Sequence, residues 1–276
     1  MNKSIDLGVV SDEISVDLDV ALNHASTWGI SLLEIRCLKS GRIPDVEPSE
    51  LKRLHSIVKN KDAVITALSP GIFKHPLSLK AELENEILNT LPRTIDIAQE
   101  LCCPLIIVFG FKRESGESPE NRKRAIDLLR RASEISSKND VKLAIENEPG
   151  FWCDSGANTA QIIQDVNSPG IGANWDPCNG YGTEENPYPD GYENIKHTII
   201  NVHVKDTKKG SLIECVPVGE GAIDWKGQMR ALVNDQIVSH VTVETHCLPL
   251  IEQTHKNIQT LWTYLKDISQ EEEIRS

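Results

Sequence analysis

Four ionisable side chains stand at or beside the ends of four successive β-branched stretches. Glu146 closes VKLAIE (141–146), Asp176 closes GIGANWD (170–176), His203 lies within TIINVHV (198–204) and Glu244 within SHVTVET (239–245). Side chains along a strand alternate between two faces. One face of the fifth stretch carries Ala144, Glu146 and Glu148, and the other Val141, Leu143 and Ile145. The sixth sets Gly172, Asn174 and Asp176 against Ile171, Ala173 and Trp175, and the seventh sets Asn201, His203 and Lys205 against Ile200, Val202 and Val204. In the eighth, Thr242, Glu244 and His246 alternate with Val241 and Val243. Each polar residue alone has a plain structural role, such as a carboxylate capping a helix or a histidine hydrogen-bonded in a core. Together, three carboxylates at one mouth would repel each other and raise their pKa values unless a cation neutralised them. Three oxygens and one imidazole suit one divalent metal ion, Mn²⁺ first, with Mg²⁺, Co²⁺ or Zn²⁺ as alternatives, better than a thiolate-loving ion.

Elements that place four strand ends side by side are needed. Earlier β-branched runs occur at 5–10, 32–36, 63–68 and 104–109, which makes eight in all. Between them apolar residues recur at helical spacing, as in Leu83-Ile87-Leu91-Ile95-Ala98 and Ile251-His255-Ile258-Leu261-Leu265. The stretch 183–197, interrupted by Pro187 and Pro189, is the poorest helix candidate. Eight alternating strands and helices predict an α/β fold, a single (β/α)₈ TIM barrel over residues 1–269 with an acidic, frayed tail at 270–276. The competitor, an open doubly wound sheet, would carry a glycine-rich phosphate turn after its first strand, and here that turn reads Ser11-Asp12-Glu13. Barrel active sites lie at the C-terminal strand ends, where the four residues stand.

The chain has 276 residues and a formal charge of −12. That balance disfavours a nucleic-acid partner, which needs a basic face. The short basic runs, Arg122-Lys123-Arg124 and Lys208-Lys209, read as solvated surface. Seven cysteines without a C-x-x-C pair indicate neither a zinc ribbon nor a redox motif. No apolar run approaches the ~18 residues that span a bilayer, so a cytoplasmic location with no membrane partner is expected.

The strings LAIENEP (143–149), NWDPCN (174–179), NVHVKD (201–206), PVGEGAIDW (217–225) and TVETH (242–246) resemble the xylose-isomerase-like barrel superfamily over essentially the whole chain. That group includes sugar and sugar-phosphate isomerases and epimerases, 3-dehydroshikimate dehydratases and endonuclease IV. The resemblance implies that Glu146, Asp176, His203 and Glu244 bind the metal. It also implies, from the ketose 3-epimerases, that Glu146 and Glu244 take and return a proton from opposite faces of the substrate. Two positions depart from the pattern: Glu148 and Asn179 stand where many members have histidine. In endonuclease IV the second of those histidines binds zinc, and a further Asp-x-His follows the seventh strand. Both are missing here, so the trinuclear nuclease site looks incomplete.

A metal on adjacent oxygens of a polyol polarises a carbonyl and steadies the enediolate formed when a neighbouring proton leaves. The expected activity is therefore a metal-dependent isomerase or epimerase acting on a sugar or a polyhydroxy keto-acid. A lyase or dehydratase using the same base is the alternative, and a non-catalytic sugar-binding barrel a more distant one. Catalysis is assigned to Glu146 and Glu244, with Glu148 as a third candidate base or an ion-pair partner of Lys205 or Arg36. Arg36 and Glu34 share an inward phase and are expected at substrate hydroxyls, as are Asn179, Lys205 and His246. Trp152 is expected either to stack on a sugar face or to anchor its loop. In PVGEGAIDW the glycines allow a tight turn, Asp224 caps a helix, Trp225 packs, and Glu220 is a candidate for the mouth. Cys178 and Cys247 are expected to be packing residues. The chain is compatible with a homo-oligomer.

Overall fold

Eight parallel strands close on themselves in the computed structural model, which describes residues 5–211 and 214–275. They are β1 Asp6–Val10, β2 Leu32–Ile35, β3 Val64–Leu68, β4 Leu105–Phe109, β5 Lys142–Glu146, β6 Ile171–Trp175, β7 Ile199–Val204 and β8 His240–Val243. Each pairs with its sequence neighbours, and β8 returns to β1 through Asp6↔His240 and Gly8↔Thr242. That closing pair excludes the open sheet and makes the chain a single (β/α)₈ TIM barrel.

Helices cover the outside at Leu18–Thr27, Pro48–Asn60, Asn121–Ser137, Gly156–Val166, Trp225–Asp235 and Leu250–Arg275. The helix after β3 runs Lys80–Asn85, through a π-type turn at Glu86–Thr90, into Leu91–Glu100. Between β6 and β7 only short pieces form, Pro177–Gly180, Pro187–Gly191, Tyr192–Ile195 and Lys196–Thr198. Tyr188, between two prolines, adopts extended backbone there (φ −141°, ψ 130°) and breaks the helical path. At the C-terminus the last helix runs through residues 270–275, and residue 276 lies outside the described residues.

The apolar residues divide into two clusters. The larger lies between strands and helices and includes Leu143, Ile145, Val202, Val204, Val241 and Val243, the outward phase of β5, β7 and β8. A small one, Ala67, Leu105, Ile107 and Ala144, fills the barrel interior beneath the site. Ile200 packs on this inner cluster and not on the shell, against the expected alternation. The cause is a register shift: Ala173 pairs with Ile199 and Asn174 with Asn201, so Ile200 is the extra residue of a bulge.

The loop after β7 is organised by Asp206. Its buried carboxylate accepts from the backbone N–H groups of Thr207 (2.8 Å), Gly219 (3.0 Å), Ile223 (3.1 Å) and Gly221 (3.3 Å). Gly219 has φ +88°, and a β-carbon at Gly221 would collide with the Asp206 carboxylate. Asp224 then caps the helix Trp225–Asp235 by accepting from Gly227 N (2.9 Å).

Candidate metal centre

Glu146 is the last residue of β5, Asp176 follows β6, His203 lies in β7 and Glu244 follows β8. All four are buried, and their ligand atoms lie within 4.8 Å of one another. His203 Nε2 is 2.9 Å from Glu34 Oε2, reached across the barrel from β2. Its other nitrogen, Nδ1, is buried and has no hydrogen-bond partner among the described residues; it lies 3.5 Å from Glu244 Oε2 and 3.7 Å from Glu146 Oε1. An imidazole braced by a carboxylate on one nitrogen and bare on the other, facing carboxylates, is the arrangement that metal-ligating histidines adopt. The donor set therefore fits a divalent ion held by Glu146, Asp176, His203 and Glu244.

Asp176 performs two tasks. Its Oδ1 caps the turn Pro177–Gly180 by accepting from Asn179 N (2.9 Å), while Oδ2 lies 2.8 Å from Lys205 Nζ. The backbone of Asp176 is clamped by Asn147, whose side-chain amide accepts from Asp176 N and donates to Asp176 O, both at 2.8 Å. Asn179 Nδ2 donates to Asn147 O (2.9 Å) and Glu146 Oε1 (3.3 Å), so it braces two of the four residues. Asn147 escaped sequence reasoning because it occupies the phase of the strand assigned to the shell.

Charge is tightly coupled here. Burial alone would lower the His203 pKa, but Glu34 and Glu146 outweigh it and hold the imidazole well above its ordinary value. Burial would raise Glu244, yet Lys205, His203 and His246 leave it well below the carboxylate range. Asp176 is pushed up by burial, and the repulsion of Glu146 and Glu244 adds to it against the pull of Lys205. A second group, Glu13, Glu244 and His246, also comes within 4.8 Å, but it already contains a cation. Arg36 places Nη2 2.6 Å from Glu13, Nη1 2.6 Å from Glu244 and Nε 2.9 Å from Asp12. In Ser11-Asp12-Glu13, notable in the sequence only for lacking glycine, Asp12 and Glu13 are the support for Arg36.

A pocket of about 250 Å³ opens above these residues. Of the expected substrate contacts, Arg36, Glu148, Asn179, Lys205 and His246 line it, together with Glu146 and Glu244. Trp152 is not in the lining: the Arg113 guanidinium covers its ring, 4.7 Å from the centroid, and its backbone N–H donates to Phe111 O (3.1 Å). It serves as a loop anchor. Glu34 does not reach substrate either, since it is buried against His203. Glu148 pairs with Lys74 (3.4 Å) and not with Lys205 or Arg36. Glu220 is turned to the surface, against Lys256. Trp225 is buried and donates from Nε1 to Lys205 O (2.9 Å), while Cys178 and Cys247 are buried free thiols. Arg42, Ser69, Lys74 and Phe109 complete the lining. Phe109 was legible from the inward phase of Leu105 and Ile107; Ser69 and Lys74 lie on irregular backbone and Arg42 on a two-residue strand, none of which carries a periodic signal.

Among the described residues, no helix is long and apolar enough to cross a membrane. Residues 22–268 match the family model described as xylose isomerase-like TIM barrel. Comparison with curated protein sequences gives no match. Solved structures similar in fold include L-ribulose 3-epimerase, with TM-score 0.80 and 16% identity over 99% of this chain and 98% of that one. The probable 3-DHS dehydratase AsbF from Bacillus anthracis aligns with TM-score 0.78 and 16% identity over 94% of this chain and 98% of that one. The IOLI protein with a bound zinc atom aligns with TM-score 0.76 and 20% identity over 96% and 98%. At these identities the likeness concerns the fold.

Proposed function

The chain belongs to the xylose isomerase-like TIM barrel family, and from that premise we propose that it is a divalent-metal-dependent isomerase or epimerase. Its substrate is a sugar or related keto-polyol, and the reaction removes and returns a proton next to a carbonyl. The observation that carries this reading is the bare His203 Nδ1 facing the Glu146 and Glu244 carboxylates at the floor of a polar pocket. A divalent ion held by Glu146, Asp176, His203 and Glu244 would supply Lewis-acid polarisation of the carbonyl. Mn²⁺ is the first choice for such an oxygen-rich set.

The residues around that ion have separate tasks. Glu34 fixes the ring of His203, and Asn147 and Asn179 fix Asp176. Glu146 and Glu244 come from β5 and β8, on either side of His203, and each brings a carboxylate able to accept a proton. Lys205 Nζ, between Asp176 and Glu244, is placed to donate to an oxygen that gains negative charge. Glu148, tethered to Lys74, positions substrate. A neighbour that is an L-ribulose 3-epimerase supports proton transfer on a ketose, and one with a zinc atom supports a metal in this fold. Elimination draws on the same base, and the dehydratase neighbour gives it a place as the second reading.

Incubating Mn²⁺-loaded protein with a panel of ketoses in D₂O tests the proposal. Deuterium should enter at the carbon next to the carbonyl without loss of substrate atoms. Glu146→Gln and Glu244→Gln should each slow exchange by roughly 10²–10⁴-fold, the contribution of a positioned base, while Glu148→Gln should mainly weaken substrate binding. Loss of water from the product would make the enzyme a lyase. Exchange abolished by Glu148→Gln but retained by both other variants would move the base to Glu148.

A further inference from the structure

We propose that the substrate carries an anionic group, a phosphate or carboxylate, and that Arg42, in the wall of the pocket, receives it. This inference rests on the functional reading above, because it concerns what the same pocket binds.

The argument begins with the cations that line the pocket. Arg36 is committed to Asp12, Glu13 and Glu244. Lys205 is held between Asp176 and Glu244, and Lys74 by Glu148 and the face of Phe109, 4.0 Å from its centroid. His246 stands against Glu244 and Glu13. Arg42 differs from all of these: among the described residues no carboxylate pairs with it. It sits on the two-residue strand Gly41–Arg42, part of a small hairpin with Cys37–Leu38 that follows β2.

The guanidinium is nevertheless fixed. Its Nε donates to Ser69 O (2.8 Å) and Nη2 to Ser69 Oγ (3.3 Å). Ser69 is itself buried at the end of β3, its N–H donating to Ile35 O (2.9 Å). Gly71, with φ +82°, passes under the guanidinium, and a β-carbon there would come within 3.2 Å of Arg42 Cζ and Nε. Held along one edge, Arg42 keeps Nη1 without a hydrogen bond among the described residues. A planar fork, half-buried, preorganised and lacking a counter-ion at a pocket wall, is suited to an oxyanion, which it binds with charge-assisted bonds stronger than those to a hydroxyl. The nearby carboxylates do not compete, since Glu146 and Glu244 are the proposed metal ligands and Glu148 is paired.

The test is isothermal titration of the full chain, metal-free and Mn²⁺-loaded, with D-ribulose, its terminal phosphate monoester and the matching terminal carboxylate. At least one anion should bind tenfold or more tighter than D-ribulose, and the tighter of the two anions identifies the group. The preference should weaken as salt is added. Arg42→Met should reduce it to within about threefold, leaving Mn²⁺ stoichiometry unchanged, and Arg42→Lys should keep part of it. The salt series in wild type serves if Arg42→Met fails to fold. Equal affinity for all three compounds, no binding by any of them, or an equal loss for all three in Arg42→Met would overturn the proposal. An anion preference in metal-free protein without deuterium exchange in the loaded enzyme would instead refute the proposed reaction and leave the Arg42 assignment standing.

Discussion

Glu34 shows how a single side chain acts through another. It touches neither pocket nor substrate, yet its carboxylate fixes which nitrogen of His203 faces the acids. Partners of this kind typically contribute 10–100-fold to metal affinity. Glu34→Gln should therefore weaken Mn²⁺ binding by about that factor in a competition titration while the fold, read by circular dichroism, stays intact. Unchanged affinity would mean that the imidazole is held by something else. The four proposed ligands were legible because strand alternation puts ionisable groups on one face at four successive strand ends. Glu34 shared that inward phase but was expected at substrate hydroxyls. Alternation tells which face a residue occupies and not how deep it lies, and Glu34 is one layer below the mouth. Arg42 and Lys74 were invisible for a different reason: Arg42 sits on a two-residue strand too short to show a period and Lys74 on irregular backbone, so the position of each depends on the tertiary path.

The strands were recovered from β-branched runs within one or two residues, since burial on both faces of a barrel strand demands such residues. What period-two reading could not supply is the bulge that turns Ile200 inward, because one unpaired residue reverses the alternation for its neighbours. The glycines of PVGEGAIDW were read as a tight turn, but their full reason is Asp206, which collects the backbone N–H groups of Gly219, Gly221 and Ile223 together with that of its neighbour Thr207. Asp206→Ala should strand those donors. At about 1–3 kcal/mol for each buried donor left unpaired, partly relieved by entering water, urea unfolding should show a loss of several kcal/mol. A loss under 1 kcal/mol would show that the loop does not depend on this carboxylate. Asp206→Asn, which keeps one acceptor oxygen, should lie between.

For the molecule as a whole, closure of β8 onto β1 turns eight separate strand ends into one ring, and only that ring brings Glu34 from β2 against His203 on β7. The formal charge of −12 has its own consequence. The basic runs are partly bound up, Arg122 with Asp165 and Lys208 with Glu214, and the second acidic group is filled by Arg36. Purified protein supplied with Mn²⁺ or Zn²⁺ should therefore leave an abasic-site duplex intact, and efficient metal-dependent nicking would overturn that expectation.

All of the proposed chemistry rests on the proposed metal, so the most direct measurement is the metal content of the protein, by elemental analysis combined with Mn²⁺ titration. Wild type should hold about one divalent ion per chain, and His203→Ala or Asp176→Asn should lose it, because removing one ligand of four leaves poor coordination. Wild-type protein that carries no metal as purified and also fails to bind added Mn²⁺ would contradict the account at its centre.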